Sequence, residues 1–297
     1  MQTANEEGKG ILYALAAFIF WGLVPIYFKL TSSVLASEVL VHRIFWSVVF
    51  LSILIVYSKQ SAQVKLILKD WHKLKILMIT SVLISSNWLI FIWSVSHNMI
   101  TEASLGYYIN PILSIILGII FFDEIPSKLQ KIAIALAGLA ILNELISVGS
   151  IPLVSLSLAS LFAFYGMLRK KISLPSVSGL FIETLLILPF ALLYFAYLVH
   201  TSQNKFDFSF DYISLILISA GFITVVPLLW FNAAATRISL TKLGFAQYIA
   251  PSISFLLGIF VYHEPFDHKK FLTFALIWLA LIVFSMDSRS ARKIKKK

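Results

Sequence analysis

The chain has 297 residues, of which 59% are hydrophobic and 13% charged, with a formal net charge of +10 and a mean hydropathy of +0.91. So much apolar side chain excludes one or two soluble domains of this length. The basic residues lie in short segments between apolar runs, where they report topology rather than nucleic-acid binding, and the absence of cysteine excludes disulfides, thiol catalysis and cysteine-ligated metal.

A membrane span needs ~20 mostly apolar residues. Ten segments qualify, at about 10–30, 38–57, 75–96, 101–122, 129–146, 151–168, 177–199, 211–233, 241–262 and 270–286. The first is too long for a signal-peptide core and lacks a small-residue cleavage site, so it is expected to remain as a span. The runs are continuous rather than alternating in ~10-residue pieces, which predicts helices rather than barrel strands. The expected fold is therefore an all-α membrane protein of ten transmembrane helices.

Orientation follows from Lys and Arg. With a cytoplasmic amino terminus, nineteen basic residues fall inside: Lys9, five from Lys59 to Lys75, Lys128, Lys131, Arg169 to Lys171, Arg237, Lys242 and six in the tail from Arg289 to Lys297. Outside fall Lys29, Lys205, Lys269 and Lys270, with Arg43 within a span. This bias predicts both termini in the cytoplasm. The loop Lys59 to Lys75, with Trp71 among apolar residues at helical spacing, and the tail Lys293 to Lys297 could touch the inner lipid surface, or serve only as topology determinants.

The chain repeats itself. At a constant offset of 140, Tyr108 falls on Tyr248, Ile109 on Ile249, Pro111 on Pro251, Ser114 on Ser254, Gly118 on Gly258, Glu124 on Glu264 and Thr101 on Thr241. Apolar matches can arise by chance, but Tyr, Pro, Gly and Glu in one register indicate internal duplication. The expected units are 1–146 (helices 1–5), 150–287 (helices 6–10) and a basic tail at 288–297. Five helices is an odd number, so the two copies enter the membrane from opposite sides, an inverted repeat of the kind used for alternating access.

Ionised groups in hydrocarbon cost at least ~2.5 kcal/mol, so intramembrane charges carry information. The offset pairs Arg43 with Glu183. As functional groups they would line opposite ends of one cavity, Glu183 or His42 taking a proton and Arg43 holding an anion. As structural groups, Arg43 would snorkel outward, Glu183 would reach the basic Arg169 to Lys171 loop, and both would only fix helix orientation. Pro111 and Pro251 remove backbone donors at matching places and are hinge candidates, beside Asn110 and Gln247. Pro25 and Pro227 have no partner at this offset. Asn87 near mid-membrane is a cavity residue or helix glue. Among the aromatic residues, Trp21, Tyr107, Tyr108 and Tyr248 are the pocket candidates, since they lie by a glycine or in the repeat, although Trp and Tyr commonly form interfacial belts.

The runs Phe20 to Lys29, Glu38 to Ser47 with its His42-Arg43 pair, Asn87 to Trp93, Glu102 to Pro111 with Tyr-Tyr-Ile-Asn-Pro, Ala163 to Gly166, Phe181 to Thr184 with Ile-Glu-Thr, Thr224 to Arg237 and Leu243 to Pro251 resemble the RarD proteins, in the EamA branch of the drug/metabolite transporter superfamily. The resemblance implies a bacterial cytoplasmic-membrane permease with two inverted repeats, and a chloramphenicol-sensitivity phenotype that leaves the transported molecule open. Small four-helix relatives couple to protons through a glutamate in their first helix. Here the span 10–30 contains no acidic residue, so Glu183 would have to serve.

The expected activity is secondary transport of a small amphipathic metabolite or drug, with protons as a possible coupling ion and membrane lipids as surroundings. No nucleotide-binding loop, cofactor motif or metal-ligand spacing appears. A membrane-embedded enzyme acting on a lipid or lipid-linked precursor is the alternative, but it would want ionisable residues clustered at one face. A scaffold or sensor would have little use for buried Arg43 and Glu183.

Overall fold

Apolar segments in hydrocarbon satisfy their backbone N–H and C=O groups internally, which makes coiling into helices the expected outcome. The computed structural model describes residues 2–31, 33–96, 100–148, 153–207, 211–261 and 268–294, and every element among them is helical. These are α1 (Gln2–Leu30), α2 (Ala36–Tyr57), α3 (Ser61–Lys69), α4 (Trp71–Ser96), α5 (Ile100–Phe122), α6 (Lys128–Val148), α7 (Leu153–Ile172), α8 (Ser176–His200), α9 (Tyr212–Ala235), α10 (Leu240–Gln247), α11 (Ile249–Phe260) and α12 (His268–Ile294).

Among the described residues, six helices carry stretches long and apolar enough to cross a membrane: Asn5–Phe28, Ala36–Tyr57, Trp71–Phe91, Leu153–Ile172, Ser176–His200 and Tyr212–Ala235. Gly106–Phe122 and Phe271–Met286 are shorter apolar helices. Outward faces match this role, since Leu193, Phe190, Ile120 and Val82 are all exposed. Water penalises such surface and lipid accepts it, so the chain is a multi-pass membrane protein.

The helices depart from the expected segments in two places. The basic stretch after α2 folds into the short amphipathic α3, and Lys75 at the start of α4 lies 5.4 Å from the ring centre of Trp71. The segment 241–262 is not one helix. It breaks at Tyr248, which separates α10 from α11 three residues before Pro251. Pro251 has no N–H to offer the Gln247 carbonyl, so the backbone ladder lapses where the chain turns.

Contacts show which termini share an end of the bundle. Glu6 of α1 accepts from Arg237 Nε at 3.0 Å, Glu7 pairs with Lys242 of α10, and Lys170 of α7 donates to the Ile238 carbonyl at 2.5 Å. Glu124, just after α5, accepts from the Leu240 and Thr241 amides at 2.6 and 2.8 Å and from the Thr241 hydroxyl at 2.7 Å. These groups mark the amino-terminal end. At the distal end Tyr27 donates to the Ile216 carbonyl at 3.0 Å, and Glu38 accepts from the Lys205 and Phe206 amides at 2.7 and 2.9 Å.

Small residues set the closest approaches. α6 and α12 meet along Ala133, Ala137, Ala140, Ile277 and Ala280. A Cβ at Gly221 of α9 would lie 2.5 Å from the Trp46 backbone of α2, and one at Gly244 would lie 2.8 Å from the Pro111 carbonyl oxygen. Helix pairing has an order of its own: α1 packs on α9 as α7 packs on α4, α1 on α10 and α11 as α7 on α5, and α2 on α9 as α8 on α4.

Candidate functional site: a cavity above a buried ion pair

Between α1, α2, α4, α5, α7, α9 and the α10–α11 break lies a cavity of about 210 Å³, lined by Trp21, Arg43, Asn87, Tyr107, Asn110, Gln247 and Pro251 among others. Arg43 reaches it from the second turn of α2. Its Nε donates to Thr224 Oγ1 at 3.0 Å, and its guanidinium carbon lies 4.8 Å from the Trp88 ring centre and 6.0 Å from that of Phe28. Cation–π contact of this kind partly offsets the loss of hydration. No carboxylate pairs with Arg43 among the described residues.

Amides fix the helices around the cavity. Asn87 Nδ2 donates to the Leu158 carbonyl at 2.9 Å and ties α4 to α7. Gln247 Nε2 donates to Ser114 Oγ at 3.3 Å, and Ser114 in turn donates to Asn110 Oδ1 at 3.4 Å, a chain that crosses from α10 to α5. The floor is aromatic. Trp21, Phe162 and Phe231 pack at ring-centre separations of 5.0 to 5.8 Å, with Tyr165 stacked on Phe231 at 6.1 Å.

Beneath this floor, toward the amino-terminal end, sits a buried polar cluster. Thr80 donates to Glu183 Oε1 at 2.5 Å, Tyr165 donates to Glu183 Oε2 at 3.3 Å, and Asn232 Nδ2 donates to the Tyr165 hydroxyl at 3.0 Å. Arg169 Nη1 lies 3.6 Å from Glu183 Oε1, and both side chains are within 1% of complete burial. The cluster joins α4, α7, α8 and α9, closing the bundle between the cavity and that end.

The structure brings seven of the sequence candidates to the cavity and sets five elsewhere, among them Pro111, whose carbonyl oxygen approaches Gly244. Neighbours on a helix differ by about 100° in direction. His42, next to Arg43, therefore faces Phe206 and Phe195, accepts from Trp46 Nε1 at 3.2 Å and lies 3.9 Å from Glu38. Tyr108, next to Tyr107, packs on Phe274, while Tyr248 is buried and donates to the Tyr108 carbonyl at 3.3 Å. Glu183 does not share the cavity with Arg43 but belongs to the ion-pair cluster below it. Glu264, the repeat partner of Glu124, lies outside the described residues.

Sequence reasoning passed over Thr80, Thr224, Asn232 and Glu38. Arg169 was expected in a basic loop within reach of Glu183; the two do meet, but with Arg169 fully buried. One signal was available: an offset of 144, rather than 140, pairs Thr80 with Thr224 and Trp21-Gly22 with Tyr165-Gly166. Thr224 binds Arg43 as Thr80 binds Glu183, so the two charges at matching positions have matching hydroxyl partners.

Residues 8–143 match the EamA-like transporter family. The chain is 45% identical to an uncharacterized transporter of Vibrio cholerae, over 97% of this chain and 95% of that protein. It is 43% identical to protein RarD of Escherichia coli, over 96% of each, and 42% identical to the uncharacterized transporter YojE of Bacillus subtilis, over 100% and 99%. A solved structure described only as "Crystal structure of protein" superposes with a TM-score of 0.73 over 95% of this chain and 99% of that one, at 14% identity, a likeness of fold alone.

Proposed function

The chain belongs to the EamA-like transporter family, and from that premise we propose that it is a secondary transporter that exports a small amphipathic molecule by alternating access. The carrying observation is a cavity bounded by helices of both halves, lying wholly on one side of a buried ion-pair cluster. A path through the protein then needs only the opening of the cluster and the closing of the distal end.

The proposed architecture is ten spans in two inverted repeats, 1–146 and 150–287, with a basic tail at 288–297 and α10 and α11 together as the ninth span. The 140-residue register supports it. So does helix pairing, which is preserved when α1, α2, α4, α5 and α6 are exchanged with α7, α8, α9, α10–α11 and α12. Tyr108 and Tyr248, equivalent in the repeat, touch each other, as residues beside a two-fold axis do. Basic residues concentrated at the amino-terminal end support a cytoplasmic location for that end, in a bacterial inner membrane. The cavity then lies in the outer half, Pro111 and Pro251 act as hinges, and Glu183 carries the proton if transport is proton-coupled.

Thermal-shift screening of the detergent-purified chain against amino acids, metabolites, nucleosides and chloramphenicol-like drugs, followed by proteoliposome flux of each hit with and without a pH gradient, tests this reading. Flux of a hit across the bilayer supports it, and loss of the pH response in Glu183→Gln assigns the coupling. A ligand that binds but never crosses, or a lipid that is chemically altered, would sink it.

A further inference from the structure

Four described helices contain an internal proline, Pro25, Pro111, Pro189 and Pro227, and Pro251 lies in the first turn of α11 just after the break. A proline at position i leaves the carbonyl of residue i−4 without its helical donor. For Pro25, Pro111, Pro227 and Pro251 the residues concerned are Trp21, Tyr107, Ile223 and Gln247, and all four line the cavity. Pro189 alone frees a carbonyl elsewhere, at Leu185 on an exposed face. Freed carbonyls in hydrocarbon are tolerated where they face protein or a polar cavity. Four helices therefore place in the cavity wall a residue whose carbonyl lacks its helical donor.

The same cavity holds one formal charge. Arg43 is its only charged lining residue, with Nε committed to Thr224 and no acceptor for the two amino groups among the described residues. A guanidinium presents paired donors that match the two oxygens of a carboxylate. The remaining wall is apolar and aromatic, including Trp88, Phe91 and Phe162.

We infer that the transported molecule is a small organic acid with a flat or apolar body and at least one N–H or O–H group. Its anion docks on Arg43, its body lies against the aromatic wall, and its donors meet the proline-freed carbonyls. This rests on the transporter reading, whose cavity it fills. A cationic ligand is opposed by Arg43, and a neutral one leaves the guanidinium unpaired.

Hippurate, 4-hydroxyphenylacetate and indole-3-acetate, each compared with its own primary amide, form the test set for binding to the purified full-length protein. At least one acid is expected to bind roughly 10- to 100-fold more tightly than its amide, the range of a charge-assisted hydrogen-bonded pair. Arg43→Gln should erase that preference and Arg43→Lys should retain part of it. The acid/amide comparison in the unmodified protein needs no variant to fold, and the inference is overturned if no acid in the set outbinds its amide. Flux separates the two ideas. Amides carried across proteoliposomes as well as the acids would overturn the organic-acid inference and leave the transporter standing, whereas an acid that binds with the expected preference yet never crosses would overturn the transporter reading and leave the acid only as the ligand of the cavity.

Discussion

Arg169 and Glu183 lie 3.6 Å apart in a fully buried setting, and the three guanidinium nitrogens of Arg169 make no hydrogen bond to the described protein. Bringing two such ions out of water is expensive, and their attraction offsets that expense only with good geometry. The pair is thus held together mainly because breaking it would leave a lone buried charge. Arg169→Met is expected to lower stability by about 3–5 kcal/mol, and the double variant with Glu183→Gln by less than the sum of the single changes. Denaturant unfolding in detergent, run as a double-mutant cycle, measures this coupling. Additive effects would show that the two charges do not pair. Close beside Arg43, His42 reaches a different neighbourhood, the Glu38 carboxylate that holds the Lys205 and Phe206 amides. It packs at the distal end and does not line the cavity.

Two devices shape the helices around the cavity. Glu124 satisfies two of the four amides that a helix start leaves unpaired, at Leu240 and Thr241, and Ser239 accepts from the Lys242 amide at 3.1 Å. Removing a cap costs about 1 kcal/mol, and orphaning several buried donors costs more. Glu124→Ala should therefore destabilise the protein by about 2 kcal/mol or more, with Glu124→Gln intermediate, as read by thermal melting. The break before Pro251 is the second device. Pro251→Ala restores a donor for the Gln247 carbonyl, and the expected outcome is an unchanged or raised melting temperature with slower flux. Equal flux would remove Pro251 from the list of hinges. Packing sets a further limit, because Gly221→Ala would place a methyl group 2.5 Å from the Trp46 backbone. Overpacking of that kind costs about 1–3 kcal/mol, a loss that denaturant unfolding would detect.

The whole chain is a natural cysteine-free background, so single cysteines report topology without further engineering. Asp123 follows α5 at the amino-terminal end and Gln203 follows α8 at the distal end, and both are exposed. With the proposed orientation, an impermeant maleimide added outside intact cells labels Gln203→Cys and spares Asp123→Cys until the membrane is opened. Labelling of both from outside would contradict the ten-span count, and the opposite preference would reverse the orientation. The same symmetry bears on mechanism. Arg43 with Thr224 and Glu183 with Thr80 match at the 140- and 144-residue offsets, yet the first pair lines the cavity and the second is buried in the cluster. The proposed inverted repeat would give such a pair two complementary states, of which the cavity and the cluster would be one.

Helical class and membrane-spanning character were legible in the sequence because they rest on a local property, ~20 apolar residues being enough to fill a bilayer, and the recurrence of Tyr, Pro, Gly and Glu at one spacing is what the proposed repeat rests on. Candidate residues such as Arg43, Asn87, Asn110 and Gln247 were equally visible, since polar groups in apolar runs are rare and each needs a partner. Their partners were not visible. Thr224 lies 181 residues from Arg43, and Thr80 lies 103 from Glu183. Nothing local distinguishes Arg169 from the lysines beside it, although it alone of that trio turns inward to meet Glu183. Whether a residue faces the cavity or the next helix depends on a rotation of about 100° per position, and that phase is set by how helices distant in sequence pack. Composition and periodicity thus settle what must lie in the membrane, while the meeting of charge with cavity is a property of the folded bundle.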